Sequence, residues 1–412
     1  MGGFALATVF ASCNQKKGCT DQKACNYDEK AVVDNGTCDF CDTTATLKAA
    51  IKENYANMAF ANYQDAYNEA VKLRTAINAF VDAPSEATLQ TAKEAWLAAR
   101  EPYGQSEAFR FANGPIDADD GPEGLLNAWP LDEGYIDYTQ GGTDYSIVND
   151  PVNYPDITKE VLEGLNEKNG EKNISVGYHA IEFLLWGQDD PDAGKRTAGE
   201  RPFTDYITDG TASHQARRGT FLKLCADLLL DHLQLMLDAW NPKASDNYRA
   251  TFLAMDNDEA LRNIFTAMGT FSKSELAGER IFVALKNQDQ EDEHSCFSDN
   301  THRDIITNAQ GIRNVFTGTY TQLDGNTVSG ASVQDLIELV HGNMATEMNA
   351  LSTQSIDAVN HIPVPFDLGL TNETIGGDGP IMKAVIALQS QGDKFAEVAK
   401  ALGLTISTKL PE

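Results

Sequence analysis

The chain has 412 residues, with 61 Asp plus Glu against 32 Lys plus Arg, a net charge of −29. A surface this acidic repels a phosphate backbone, so nucleic acid is excluded as a general partner, while solubility and attraction of cations are allowed. Hydrophobic residues at 42% and charged residues at 23% exclude a largely disordered chain, and no stretch reaches the ~18 apolar residues that mark a membrane-spanning helix.

The first residues read as an address. Gly2 to Ser12 form a short apolar run, and Phe10-Ala11-Ser12-Cys13 resembles a bacterial lipobox followed at once by polar Asn14-Gln15-Lys16-Lys17. Residues 1–13 are therefore expected to be the end of a lipoprotein signal, with Cys13 lipidated. A partner membrane follows, held through a lipid anchor. The expected location is the cell envelope, facing the periplasm or the surface, with the outer membrane favoured over the inner. Residues 14–42 form a cysteine-rich segment in which Cys19, Cys25, Cys38 and Cys41 are spaced C-x5-C-x12-C-x2-C. Four thiolates could hold zinc. In an oxidising envelope two disulfides are the favoured reading, with connectivity open.

From Thr43 the chain reads as helices. Leu47, Ile51, Tyr55 and Met58 start a stripe at helical spacing that continues to Ile77 and Phe80. Pro84-Ser85-Glu86 breaks it and caps a second helix through Leu89, Ala92, Trp96 and Ala99. Residues 111–175, rich in Gly, Pro, Asp, Asn and Tyr, read as a long ordered excursion with one short helical stretch near 157–166. Leu222, Cys225, Leu229, Leu233, Met236 and Trp240 mark a strong helix over 213–240. Further helices are predicted at 247–267, 273–286, 302–320, 332–353 and 379–401. Strands are expected only as short pieces in the excursion or the N-terminal segment. The fold class is thus all-α, with a short disulfide-rich N-terminal segment and two helical-bundle halves, 43–212 and 213–412. Bundle cores build metal and ligand sites from facing helices.

Four segments carry candidate chemistry. In Gly177-Tyr178-His179-Ala180-Ile181-Glu182, His179 and Glu182 are three apart and share a helix face. An imidazole with a carboxylate suits a borderline divalent ion, although the pair alone is also compatible with an internal hydrogen bond. WLAAREPYGQSEAFRFA sets Glu107 and Arg110 three apart. SELAGER brings Glu275, Glu279 and Arg280 together. EDEHSCFSDNT packs acids, a histidine and a cysteine into residues 291–301, as a divalent site or a turn network. The nucleophile elbow, the P-loop and the dinucleotide fingerprint are all absent from the sequence.

These blocks resemble the imelysin-like family, whose motif is G-x-H-x-x-E. GYHAIEFLLWGQD carries it, and LNAWPLDEGYIDY, GERPFTDY, SELAGERIFVAL, EDEHSCFSDNTHRD and PVPFD extend the likeness over about residues 43–405. The resemblance implies a mostly helical envelope protein, often an iron-regulated lipoprotein, with a metal site around His179 and Glu182. It also implies a place in iron uptake beside other envelope proteins, and it brings a classification among metallopeptidases.

Two activities follow. In the favoured one, the protein binds a divalent metal, iron before zinc, through His179, Glu182 and Glu107, with Arg110, Glu275, Glu279 and Arg280 supporting the site. In the alternative, a zinc peptidase, Glu182 would be the base, but a third ligand and an open position must come from the fold. A further reading is a scaffold in which the same groups form a metal-free ion-pair network.

Overall fold

A computed structural model describes residues 16–22, 24–38, 43–142, 146–189 and 197–410. Cys13, the lipidation candidate, and Cys41 lie outside the described residues.

The segment Met1–Leu47 is a compact unit of its own. Lys17–Gly18 pairs in parallel with Val33–Asp34, and Cys19 is disulfide-bonded to Cys38. Cys25 is disulfide-bonded as well. Too few apolar residues are present for a core, and the cross-links take its place.

Lys48–Glu412 forms the second unit. Its long helices are α1 Thr43–Asp82, α2 Glu86–Ser106, α3 Gly177–Trp186, α4 Gln215–Trp240, α5 Asn257–Thr270, α6 Thr301–Thr317, α7 Val333–Val359 and α8 Pro380–Ala401. Ser85 opens α2 through a reciprocal capping box with Thr88, and Ser332 opens α7 in the same way with Asp335. Packing runs across the expected boundary at 212/213: α6 lies on α2, and α3 lies on both α2 and α4. Toward the C-terminus α8 packs on α5 and α7.

Three elements differ from the sequence reading. The helix predicted over 247–267 is two helices, Tyr248–Ala254 and α5, because Asp256 turns the chain and caps α5 with its side chain. Helix 302–320 stops at Thr317, where Gly318 takes φ 65°. The following residues form a hairpin, with Thr319–Thr321 antiparallel to Thr327–Ser329, so strands occur where none were expected. Between α5 and Val283–Asn287, the backbone over Phe271–Phe282 is wound as a π-helix, a rare geometry with wider turns.

The helix α3 decides where the chemistry lies. All ten of its residues are buried. Apolar side chains on every face make it a core helix, and its two polar side chains are carried inward with it. At its start Gly177 has φ +90°, and a β-carbon there would stand 2.7 Å from the Leu126 carbonyl oxygen. Only glycine lets the 124–127 backbone approach this closely. The Trp96 indole donates to the Tyr178 carbonyl at 2.9 Å, fixing α2 against α3.

Candidate functional site

His179 and Glu182 meet as their spacing predicts. His179 Nδ1 lies 2.8 Å from Glu182 Oε2, and both side chains are fully buried. Glu182 Oε1 accepts from the Ser298 backbone N–H at 3.0 Å and from its hydroxyl at 2.7 Å. Burial pushes the Glu182 carboxyl well above its ordinary range, against the Ser298 bonds. Burial, with His294 and Arg100 nearby, holds His179 well below its ordinary value, so the imidazole is neutral. With the shared proton on Nδ1 and donated to Glu182, Nε2 carries the free lone pair of the ring; with the proton on Glu182, the neutral ring carries its own hydrogen on Nε2. His179 Nε2 is buried and has no hydrogen-bond partner.

A second dyad faces the first. The His294 and His179 ring centres are 4.8 Å apart at 73°, and Trp129 flanks His179 at 4.9 Å. His294 Nδ1 lies 3.0 Å from Asp304 Oδ2, and Nε2 lies 3.3 Å from the Asn127 amide nitrogen. The Asn127 oxygen accepts from Arg100 at 2.6 Å, which fixes the amide orientation. Asn127 nitrogen is therefore the donor toward Nε2, and the His294 proton sits on Nδ1, donated to Asp304.

Asp304 also takes both Nε and Nη2 of Arg100, at 3.1 and 2.9 Å, and the Ser295 hydroxyl at 2.5 Å. Burial opposes the Asp304 charge, but Arg100 and His294 outweigh it and hold the carboxyl well below its ordinary range. Burial and the Arg280 charge keep His294 below its ordinary value, against the pull of Asp304.

Glu107 stands on the far side of Asn127. Its oxygens accept from Arg280 at 2.5 and 2.7 Å, from Asn127 at 3.0 Å and from Asn308 at 2.8 Å. Burial would raise its pKa, but the Arg280 charge and hydrogen bonds prevail, with His294 and Arg110 adding to them, and hold it at about 2.

Arg110 sits 3.0 Å from Glu123, 3.1 Å from Asp117, 3.6 Å from Glu275 and 3.9 Å from Glu107. In the π-helical stretch Glu275 and Arg280, five apart, share a face and bond at 2.9–3.0 Å. Glu279 is exposed and lines, with Glu123, Glu275, Asp292, Arg280 and His294, a cavity of about 310 Å³.

The seven candidate residues thus form two layers. His179 with Glu182 is the inner one. Glu107, Arg110, Glu275 and Arg280 form an ion-pair layer, with Glu279 at its cavity edge. Between them lie His294, Asn127, Asp304 and Arg100. Of these, His294 belongs to the acidic segment 291–301, Arg100 to WLAAREPYGQSEAFRFA and Asn127 to LNAWPLDEGYIDY. No spacing rule marks them, since their contacts join residues as far apart as 204 positions. The 291–301 segment serves the two dyads as a turn network. His232 is elsewhere, bonded to Glu163 at 2.9 Å. Among the described residues no group of three His, Cys, Asp or Glu stands ready to hold a metal ion.

A profile of the imelysin family matches residues 59–394. The chain belongs to the imelysin family. Within reach of this imelysin chain is iron-regulated protein A of Synechococcus elongatus, 24% identical over 403 residues, covering 95% of this chain and 90% of that one. Two crystal structures share the fold. An iron-regulated protein A precursor from Parabacteroides distasonis aligns with TM-score 0.68 at 18% identity, over 87% of this chain and 95% of its own. An imelysin-like protein from Psychrobacter arcticus aligns with TM-score 0.60 at 13% identity, over 89% and 98%.

For a metal, the imelysin motif here supplies one prepared donor. His179 Nε2 is buried without a hydrogen-bond partner, and its other nitrogen is held by Glu182, the arrangement usual behind a metal-bound imidazole when the shared proton sits on Nδ1. Glu182 and Glu107 have both oxygens engaged, so they act on the site through the groups they hold.

Proposed function

We propose that this chain is a cell-envelope protein that binds a divalent metal ion, iron before zinc, in iron uptake or homeostasis. The observation that carries this reading is His179 Nε2, a buried imidazole nitrogen with no hydrogen-bond partner, on a ring oriented by Glu182. The family membership and the iron-regulated name of a relative that covers nearly the whole chain support iron over other ions. The lipobox-like Phe10-Ala11-Ser12-Cys13 supports an anchor at Cys13 and a place on the outer membrane, near other uptake proteins. In this reading His179 binds the ion, Glu182 orients His179, and Ser298 holds Glu182. The bound ion would supply the charge that the site stores and releases.

The test is anaerobic titration of metal-free protein with Fe2+ and separately with Zn2+, read by calorimetry. One ion per chain is expected in the wild type, and none in His179→Ala with its helical circular dichroism retained. Wild-type protein that takes up neither ion would overturn the proposal.

A further inference from the structure

The three carboxylates that belong to the dyads or share Asn127 with them are already committed. Glu107 is clamped by Arg280 and two amides, Asp304 by Arg100, His294 and Ser295, and Glu182 by His179 and Ser298. None of these three therefore offers a bare oxygen, where a hard cation would need several. What remains is nitrogen. His294 repeats the construction of His179: Nδ1 is fixed on a buried carboxylate, and Nε2 is held only by a 3.3 Å contact from the Asn127 amide. That contact is longer than an ordinary N–H bond to an acceptor. His294 also lines the cavity, whereas His179 lies behind it.

Distance permits a shared ion. With metal–nitrogen bonds of ~2.1 Å and a nitrogen ~1.1 Å from the ring centre, two imidazoles on one ion have centres no more than ~6.4 Å apart. The observed centres are 4.8 Å apart.

We propose that His294 is a second metal-binding imidazole, and that His179 and His294 together form a two-nitrogen site selective for borderline divalent ions over hard ones. The inference rests on the reading that His179 receives a metal ion. Ferrous, zinc and cupric ions suit neutral imidazole, while ferric, calcium and magnesium ions prefer oxygen donors, which the three clamped carboxylates withhold. Asn127 is the competitor that an ion displaces from His294, so the site is closed by a hydrogen bond when empty. The acid groups of the cavity, Glu123, Glu275, Glu279 and Asp292, raise the local cation concentration outside it.

The experiment compares the wild type with His179→Gln, His294→Gln and Asn127→Ala, each checked for folding by its unfolding transition. Affinities for Fe2+ (anaerobic), Zn2+ and Ca2+ are measured by calorimetry. Cu2+-loaded samples are read by pulsed electron paramagnetic resonance, which counts bound imidazoles. The wild type should bind Fe2+ and Zn2+ but not Ca2+, with two imidazoles on copper. Each histidine variant should lose at least tenfold in affinity and show one imidazole, on the scale by which even orienting groups matter. Asn127→Ala should bind more tightly than the wild type.

If His294→Gln binds like the wild type and the wild type shows one imidazole, the second-ligand proposal is overturned while the reading of His179 stands. If the wild type binds no ion, that reading fails first. Binding of Ca2+ with the affinity of Zn2+ would overturn the selectivity. Should His294→Gln fail to fold, the imidazole count in the wild type and the sign of the Asn127→Ala effect still decide the matter.

Discussion

Glu107→Gln isolates the ion-pair layer from the dyads. The four hydrogen bonds that reach the Glu107 carboxylate all come from N–H donors, two on Arg280 and one each on Asn127 and Asn308. A glutamine keeps the shape but turns an NH2 toward those donors and leaves the buried Arg280 without its main counter-charge. Breaking one partner of a buried pair costs about 3–5 kcal/mol.

The depressed pKa of Glu107 gives a second figure. Glu107 is held at about 2 against an ordinary 4.5, and at 1.36 kcal/mol per pH unit this corresponds to roughly 3 kcal/mol of stability. Because the folded value is the lower one, the contribution is fully present above pH ~4.5 and fades as the pH falls toward 2. Urea unfolding of the wild type and variant should therefore differ by about 3 kcal/mol at pH 7 and converge near pH 2–3. A variant within about 1 kcal/mol of the wild type at pH 7, with the same slope of stability below pH 5, would refute the claim that this pair holds the layer together.

Other perturbations probe the scaffold. Asp137 is fully buried and is shared by Arg201 at 2.8 Å and Arg218 at 2.5 Å, so Asp137→Asn should cost at least ~3 kcal/mol by stranding two guanidinium groups, as measured by denaturant unfolding. Gly177→Ala drives a methyl into the Leu126 carbonyl at φ +90° and should lose at least ~2 kcal/mol, with a lower thermal midpoint. Cys225 and Cys296 are free and buried, and burial raises both thiols. Iodoacetamide should leave both unmodified in the native protein and label both after unfolding, as read by peptide mass spectrometry.

The helices were legible because each long one carries an apolar stripe, and α3 was legible as core because its sequence is apolar around a single His–Glu pair. Helix ends were less so. The stop at Thr317 depends on Gly318 and on an Asp324-Gly325 turn whose strands are three residues each, too short for an alternating pattern to stand out. At the site, the i,i+3 pairing of His179 with Glu182 is local and could be read directly. The partnership of His294 with Asp304 was hidden because the two are ten residues apart across a loop and a helix start, and that of Arg100 with Asp304 because α2 and α6 meet only in the folded chain. Long-range ion pairs leave no period in a sequence.

The π-helical stretch shows the same limit at shorter range. An α-helical reading of SELAGER pairs Glu275 with Glu279, four apart, and turns Arg280 to another face. In the wider winding residues five apart align, so Arg280 lies over Glu275 and reaches Glu107, while Glu279 is left at the cavity edge. The consequence is chemical. Without Arg280 in that register, the Glu107 carboxylate would lose its closest counter-charge and, on the proposed reading, become a candidate oxygen ligand beside the two imidazoles. On the proposed reading, the winding of this one segment bears on whether a cation meets nitrogen alone or nitrogen with carboxylate. Arg280 is the residue through which the backbone winding reaches the Glu107 carboxylate.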